Sequence, residues 1–246
     1  MEKAIDILRK KGQKISANRA DRDATEGAVF IYISSDAKEG IAFSLNCETD
    51  FVGKNEEFLA LGNSIMDVAK AHKPATAEAL NALNIDDRTV LEHITDLMGK
   101  IGEKIEVSQY SIMQGEHIAS YLHGDSKIGV LVNMANVNGK DVSEAGRNVG
   151  MQIASMKPIA VDEHGVDATT VQREKEIGIE KARQEGKPEN ILEKIAEGFV
   201  KKFYKENTLL SQEYVKGTNK ESVQQYLDTV SKGLTVKAFA RVAIGR

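Results

Sequence analysis

Two apolar rhythms run along the chain. Ala4, Ile5 and Leu8 fall on one face at spacings of three and four, which predicts a short helix over 1–11 that Gly12 stops. Residues 13–25 are polar and aperiodic and read as a linker. Val29, Ile31 and Ile33 then alternate, as do Ile41, Phe43 and Leu45, which predicts strands over 28–34 and 41–45 with a turn over 36–40. Residues 46–53 leave the sheet. Asn55 is placed to cap a helix, with Glu56 and Glu57 in its first turn and Phe58, Leu61, Ile65, Val68 and Ala69 as its buried stripe. Pro74 ends it. Val90, Leu91, Ile94, Leu97, Met98 and Ile101 mark a second helix over about 88–100, followed by a strand over 104–112.

The pattern then repeats. Strands are predicted over 118–123 and 128–133 with a turn over 124–127, and Ser143 caps a helix running to about 156. Lys157-Pro158 closes this second copy as Lys73-Pro74 closes the first. The second copy carries an insertion. Residues 168–184 and 189–206 are helical in composition, and Glu185-Gly186-Lys187-Pro188 turns between them, which makes an antiparallel hairpin. Ile191, Ile195, Phe199 and Phe203 recur on its second arm, whereas Val171, Ile177 and Ala182 are the best apolar candidates on the first. The hairpin either projects toward a partner or lies on its own domain. Residues 234–244 alternate as a closing strand. The fold class expected is α+β: two related subdomains, each a small antiparallel sheet covered by helices, with the inserted hairpin and a residual N-terminal helix.

Composition narrows the function. The 246 residues carry a net charge of −4, which disfavours a nucleic-acid-binding footprint. The one cysteine, Cys47, has no partner for an internal disulfide and suits a reducing cytoplasm. No apolar run reaches the length of about 18 residues that a membrane span needs. There is no phosphate loop, zinc pattern or nucleophile elbow, so no cofactor or metal is expected. The glycine-containing stretch from His123 to Gly129 reads as a hairpin turn. Cys47 with one of His72, His93, His117, His123 or His164 is the one enzyme-like option, and a small buried apolar residue is the commoner role of such a cysteine.

The sharpest local signal is Asn46-Cys47-Glu48-Thr49-Asp50-Phe51-Val52, a carboxylate and a large aromatic together in a loop after a strand. Taken alone, Phe51 reads either as core or as a wedge with a charged tip. With Asn55-Glu56-Glu57-Phe58 after it, this segment resembles the signature of the elongation factor Ts family. Lys100-Ile101-Gly102-Glu103-Lys104-Ile105, His123-Gly124 with Ile128 to Val132, residues 153–158, residues 185–189 and Val215 resemble further family markers, in family order over essentially the whole chain.

The resemblance implies a guanine-nucleotide exchange factor in the cytoplasm, not an enzyme, acting in translation elongation. Its partner would be elongation factor Tu, GDP-bound and nucleotide-free, with no direct nucleic acid and no membrane. Thr49, Asp50, Phe51 and Val52 would dislodge the partner's magnesium, and Ile101, Gly102, His123 and Val215 would make further contacts. The implied domains are the last helix of a truncated or late-starting ubiquitin-associated-like module with its linker (1–25), a core N subdomain (26–113) and a core C subdomain (114–246) with the hairpin at 168–206. The polar stretch Lys216 to Asn219 beside Val215 departs from the family pattern. The resemblance admits a homodimer. The alternative is an interaction or dimerisation protein of the same fold without exchange activity.

Overall fold

The computed structural model describes Arg19 and Asp21 to Gly245; the helix expected over 1–11 lies outside the described residues. The chain divides into two compact units. One runs to Asn133 and takes back the chain from Ala240; the other is Met134–Phe239. The architecture is α+β with small antiparallel sheets, as the periodicities predict.

The first unit is built on β1 (Glu26–Ile33), β2 (Glu39–Cys47) and β5 (Ile105–Gln114), in the order β1-β2-β5. Pairing is antiparallel, with Phe30 opposite Phe43 and Phe43 opposite Tyr110. Alternation in β2 suggests one wet face, yet all nine of its residues are buried. The reason is that both faces are covered. Ile41, Phe43, Leu45 and Cys47 pack with Phe58, Ile65 and Ile94 of the helices. On the other face Ala42 packs with Val29, Ile118, Leu131 and Val242. Leu131 comes from β7 (Ile128–Ala135), which lies between β6 (His117–His123) and β8 (Thr235–Ala243) in a second three-stranded sheet.

Between β2 and β5 run α1 (Asp50–Gly53), α2 (Glu56–His72), α3 (Ala77–Asn81), a two-strand ribbon of β3 (Asn84–Ile85) and β4 (Arg88–Thr89), and α4 (Val90–Ile101). Asn55 caps α2 as expected, its Oδ1 accepting from the N–H groups of Glu57 and Phe58. The elements α1, α3, β3 and β4 are too short for a periodicity to announce. The second helix begins at Val90 rather than 88, because Thr89 and Glu92 form a capping box.

In the second unit α5 (Ser143–Met156) differs from expectation at its start. Ser143 is its first helical residue, Val142 holds the cap position, and the Asp141 carboxylate accepts the Ser143 N–H at 2.9 Å. Lys73 and Lys157 end α2 and α5 in the same left-handed conformation, φ 50° and 48°, each followed by proline. The hairpin is present as α6 (Ala168–Gln184) and α7 (Glu189–Asn207). Its seam sits one residue away from the expected stripe: Leu192 and Ala196 are buried, facing the arm that buries Gly178 and Ala182. Small residues set this register. A Cβ at Gly178 would stand 2.9 Å from that of Phe199, so the helices approach closely only with glycine there. Ile177 and Ile191 are left exposed. The unit also holds α8 (Val223–Val230), begun by a Ser222–Gln225 capping box.

Candidate functional site

The segment after β2 is fixed from both sides. Cys47 is fully buried, and its Sγ donates to the carbonyl oxygen of Thr49 at 3.1 Å. Burial pushes this thiol up to about 12, so at neutral pH it is protonated and a poor nucleophile. Glu48 turns back toward β5. Its carboxylate accepts from the Lys104 N–H at 2.7 Å and from Arg19 at 2.6 Å and Arg22 at 3.2 Å. Burial works against its ionisation, but these donors outweigh burial and hold its carboxyl below the usual range.

Thr49 is extended, at φ −122° and ψ 155°, and stands at the cap position of α1. Its hydroxyl makes no capping bond. It donates instead to Glu103 Oε1 at 2.8 Å, while its backbone N–H donates to Glu103 Oε2 at 3.0 Å. The single turn of α1 then buries Val52 and Gly53. Gly53 lies against Gly27 of β1, where a Cβ would meet backbone at 3.2 Å. The same turn throws Phe51 outward: its side chain is 82% exposed. Asp50 pairs with Lys54 at 2.9 Å, and the Lys54 ammonium holds the Asp50 carboxyl below its ordinary value.

The turn after β6 borders this segment. Gly124, Asp125 and Ser126 have φ of 62°, 50° and 66°, a run of left-handed residues that a glycine begins. Ser126 accepts from the Val29 N–H, and Lys127 pairs with Glu26. Lys127 is near enough to act on the Asp50 carboxyl, and Asp125 on the Lys54 ammonium. His123 stacks on Tyr121 at 5.9 Å, with its Nδ1 3.0 Å from the Tyr121 hydroxyl. On the other side Gly102 ends α4 at φ 85°. Nothing lies within 4 Å of where its Cβ would be, so conformation rather than space calls for glycine.

The structure therefore places Thr49, Asp50 and Phe51 beside Ile101-Gly102 through Glu103, and beside the turn that His123 opens. Val52 points into the core of the first unit. Val215 belongs to the second unit, where it is 45% exposed and its N–H donates to Gln152 Oε1 at 2.9 Å. Sequence reasoning missed two residues that hold the segment, Glu48 and Glu103. Both lie inside recognised markers, but their partners are distant in sequence. Among the described residues no three His, Cys, Asp or Glu side chains stand where they would hold a metal. No described helix is long and apolar enough to cross a membrane.

The family model described as Elongation factor TS matches residues 48–246. The protein named Elongation factor Ts in Cytophaga hutchinsonii is 55% identical over 244 residues, covering 99% of this chain and 87% of the relative. Its namesake in Amoebophilus asiaticus is 47% identical, covering 100% and 88%. That of Azoarcus sp. is 42% identical, covering 100% and 80%. A family match that takes in the exposed Phe51 turn, the Glu103 contact and the second unit together decides the matter: the chain belongs to the elongation factor Ts family of translation elongation factors.

Proposed function

We propose that the chain binds elongation factor Tu carrying GDP in the cytoplasm and drives the nucleotide out, acting by binding and not by bond chemistry. The observation that carries this reading is Phe51, 82% exposed on a turn whose next two residues are buried. An aromatic of that size costs free energy in water and is normally buried. A large side chain held out by an anchored backbone suits insertion into a second protein. In this reading Phe51 enters the packing of the GTPase domain with Asp50 beside it. Thr49 and Val52 hold the turn, and Ile101, Gly102 and His123 touch the same domain. Val215 touches another domain of the partner.

The physics follows from how GTPases hold their nucleotide. Magnesium bridges the phosphates and is held by protein side chains, so moving those side chains loosens the phosphates. Packed interiors shift between discrete arrangements rather than yielding smoothly, so one inserted ring can move a helix. Binding of the factor and of nucleotide then oppose each other by the same ratio, and GTP can expel the factor. Each tenfold of that coupling needs about 1.4 kcal/mol. Burying a Phe supplies roughly 1.5–3 kcal/mol, so a larger acceleration also needs grip from the second unit.

The test is release of a fluorescent GDP analogue from elongation factor Tu with magnesium present. Added chain accelerates release, and Phe51→Ala loses most of the acceleration while melting at the temperature of the unaltered protein. Full acceleration by a folded Phe51→Ala variant overturns the reading of the site.

A further inference from the structure

We infer that Glu103 is a positioning residue for Phe51: its two carboxylate oxygens grip the backbone and the hydroxyl of Thr49 and so fix the direction in which the α1 turn presents the ring. The inference rests on the exchange reading above and deepens it.

A four-residue helix does not hold itself together, because nucleation costs more than one turn returns. Such a turn usually relies on a cap, and Thr49 is a residue type that caps well. Here its hydroxyl is turned away from the helix and bonded to Glu103 Oε1 at 2.8 Å. Glu103 Oε2 takes the Thr49 N–H at 3.0 Å. The local cap is thus replaced by a clamp from a residue 54 positions away. Hydrogen bonds to a carboxylate are stronger than neutral ones, and two in parallel define an orientation as well as a distance.

The far end of the turn is fixed by the burial of Val52 and by Gly53 against Gly27. Phe51 lies between these two anchors. Releasing the first leaves Thr49 tied through the weak Cys47 Sγ–H bond to its carbonyl oxygen and through Glu48 before it, and lets the ring leave the surface along a wider range of directions. The clamp also lies beside Gly102, the end of α4, so it ties the Phe51 turn to the Ile101-Gly102 corner. A contact that only stabilised the fold would have no reason to spare the binding step and damage the release step. A contact that aims the ring would, since grip comes from several surfaces whereas the push on the magnesium site depends on the ring.

The experiment measures GDP-analogue release from elongation factor Tu over a range of concentrations of the full chain, giving a maximal rate and a half-saturating concentration. Glu103→Ala should lower the maximal rate about tenfold, or about 1.4 kcal/mol, and leave the half-saturating concentration within about twofold. Glu103→Gln, which keeps one acceptor, should recover part of the loss. Thr49→Val should lower the rate alone and add nothing to Glu103→Ala. With magnesium chelated, the variant and the unaltered chain should release nucleotide at similar rates. If Glu103→Ala does not fold, Thr49→Val carries the same test, since it deletes one bond and keeps the volume. An unchanged maximal rate overturns the inference, as does a loss that appears only in the half-saturating concentration or persists without magnesium. If the unaltered chain gives no acceleration, the exchange reading itself fails and takes the inference with it.

Discussion

The Phe51 turn and the Val215 loop each hold an apolar side chain out to solvent, and they are anchored by opposite chemistry. In the first unit Thr49 is gripped by the half-buried carboxylate of Glu103. In the second, Val215 is held by Gln152, a neutral amide that is completely buried. Gln152 Oε1 accepts the Val215 N–H, and its Nε2 donates to the Glu213 carbonyl at 3.1 Å and to Gln212 Oε1 at 3.2 Å. Gln212 in turn donates to the Met156 and Glu206 carbonyls. Nearby, Lys216 donates to Asn148 Oδ1, Asn148 donates to the Tyr226 hydroxyl, and Tyr226 stacks on Tyr214 at 4.1 Å. A neutral amide can be buried completely once its bonds are made, whereas a carboxylate is expensive to bury and stays near water. The amide network makes the Val215 loop a fixture set into its unit. The carboxylate clamp makes the Phe51 turn a part tied down at two points on a surface.

The same contrast separates the helices behind the loops. α2 buries Phe58, Gly62, Ile65, Met66 and Ala69, an apolar stripe. α5 buries Asn148 and Gln152 among Val149, Ile153 and alanines. The largest stability loss is therefore expected from Gln152→Leu. That change removes the partner of the fully buried Gln212 Oε1 and of the part-buried Val215 N–H and Glu213 carbonyl, at about 1–3 kcal/mol for a buried group left without a partner and less for the two that water can reach. Urea denaturation should show a loss of roughly 3 kcal/mol, after partial relaxation around the new side chain. A loss below about 0.5 kcal/mol, the size of an ordinary surface change, would mean that the network does not anchor the loop.

Val215→Ala and Phe51→Ala sharpen the comparison on the binding side. Both side chains are exposed, so neither change should move stability by more than about 0.5 kcal/mol. They should part company in kinetics. Phe51→Ala should lower the maximal rate of nucleotide release. Val215→Ala should raise the half-saturating concentration roughly fivefold, the loss expected for about one kcal/mol of apolar contact, and spare the maximal rate. Concentration series with each variant check this, and the same parameter moving in both would show that the two loops do one job.

Local chemistry was legible in the sequence and distant chemistry was not. Asn55 could be read as a cap because its partners, Glu57 and Phe58, are two and three residues away. The sheet strands were legible from alternation, but β2 hid its second covered face because Ala42 and Ser44 are small or polar. The hairpin was legible as two arms and a turn. Its seam was legible at Ala182 but not on the second arm, because Gly178, which carries no apolar signal, decides which residues of that arm come close. The Phe51 region stood out through its motif. Glu103 did not, since one glutamate after a helix looks like surface until Thr49 is found against it. Gln152 was equally silent in the middle of α5.

The smallest expected effect follows from charge. The Gln152 network near Val215 is neutral in its amide part, while the Phe51 turn follows Glu48, whose carboxyl is held below the ordinary range by Lys104, Arg19 and Arg22 against the effect of burial. A carboxyl whose value is depressed in the folded state stabilises above its unfolded value, and that contribution disappears as the pH falls through the folded value. Glu48→Gln should thus be more destabilising near pH 7 than near pH 3, below the ordinary carboxylate range. Gln152→Leu should cost the same at both. Urea denaturation of the two variants at the two pH values measures the difference directly. An equal loss for Glu48→Gln at both would show that Glu48 holds the turn by shape rather than by charge, and the contrast between the anchors would then rest on Glu103 alone.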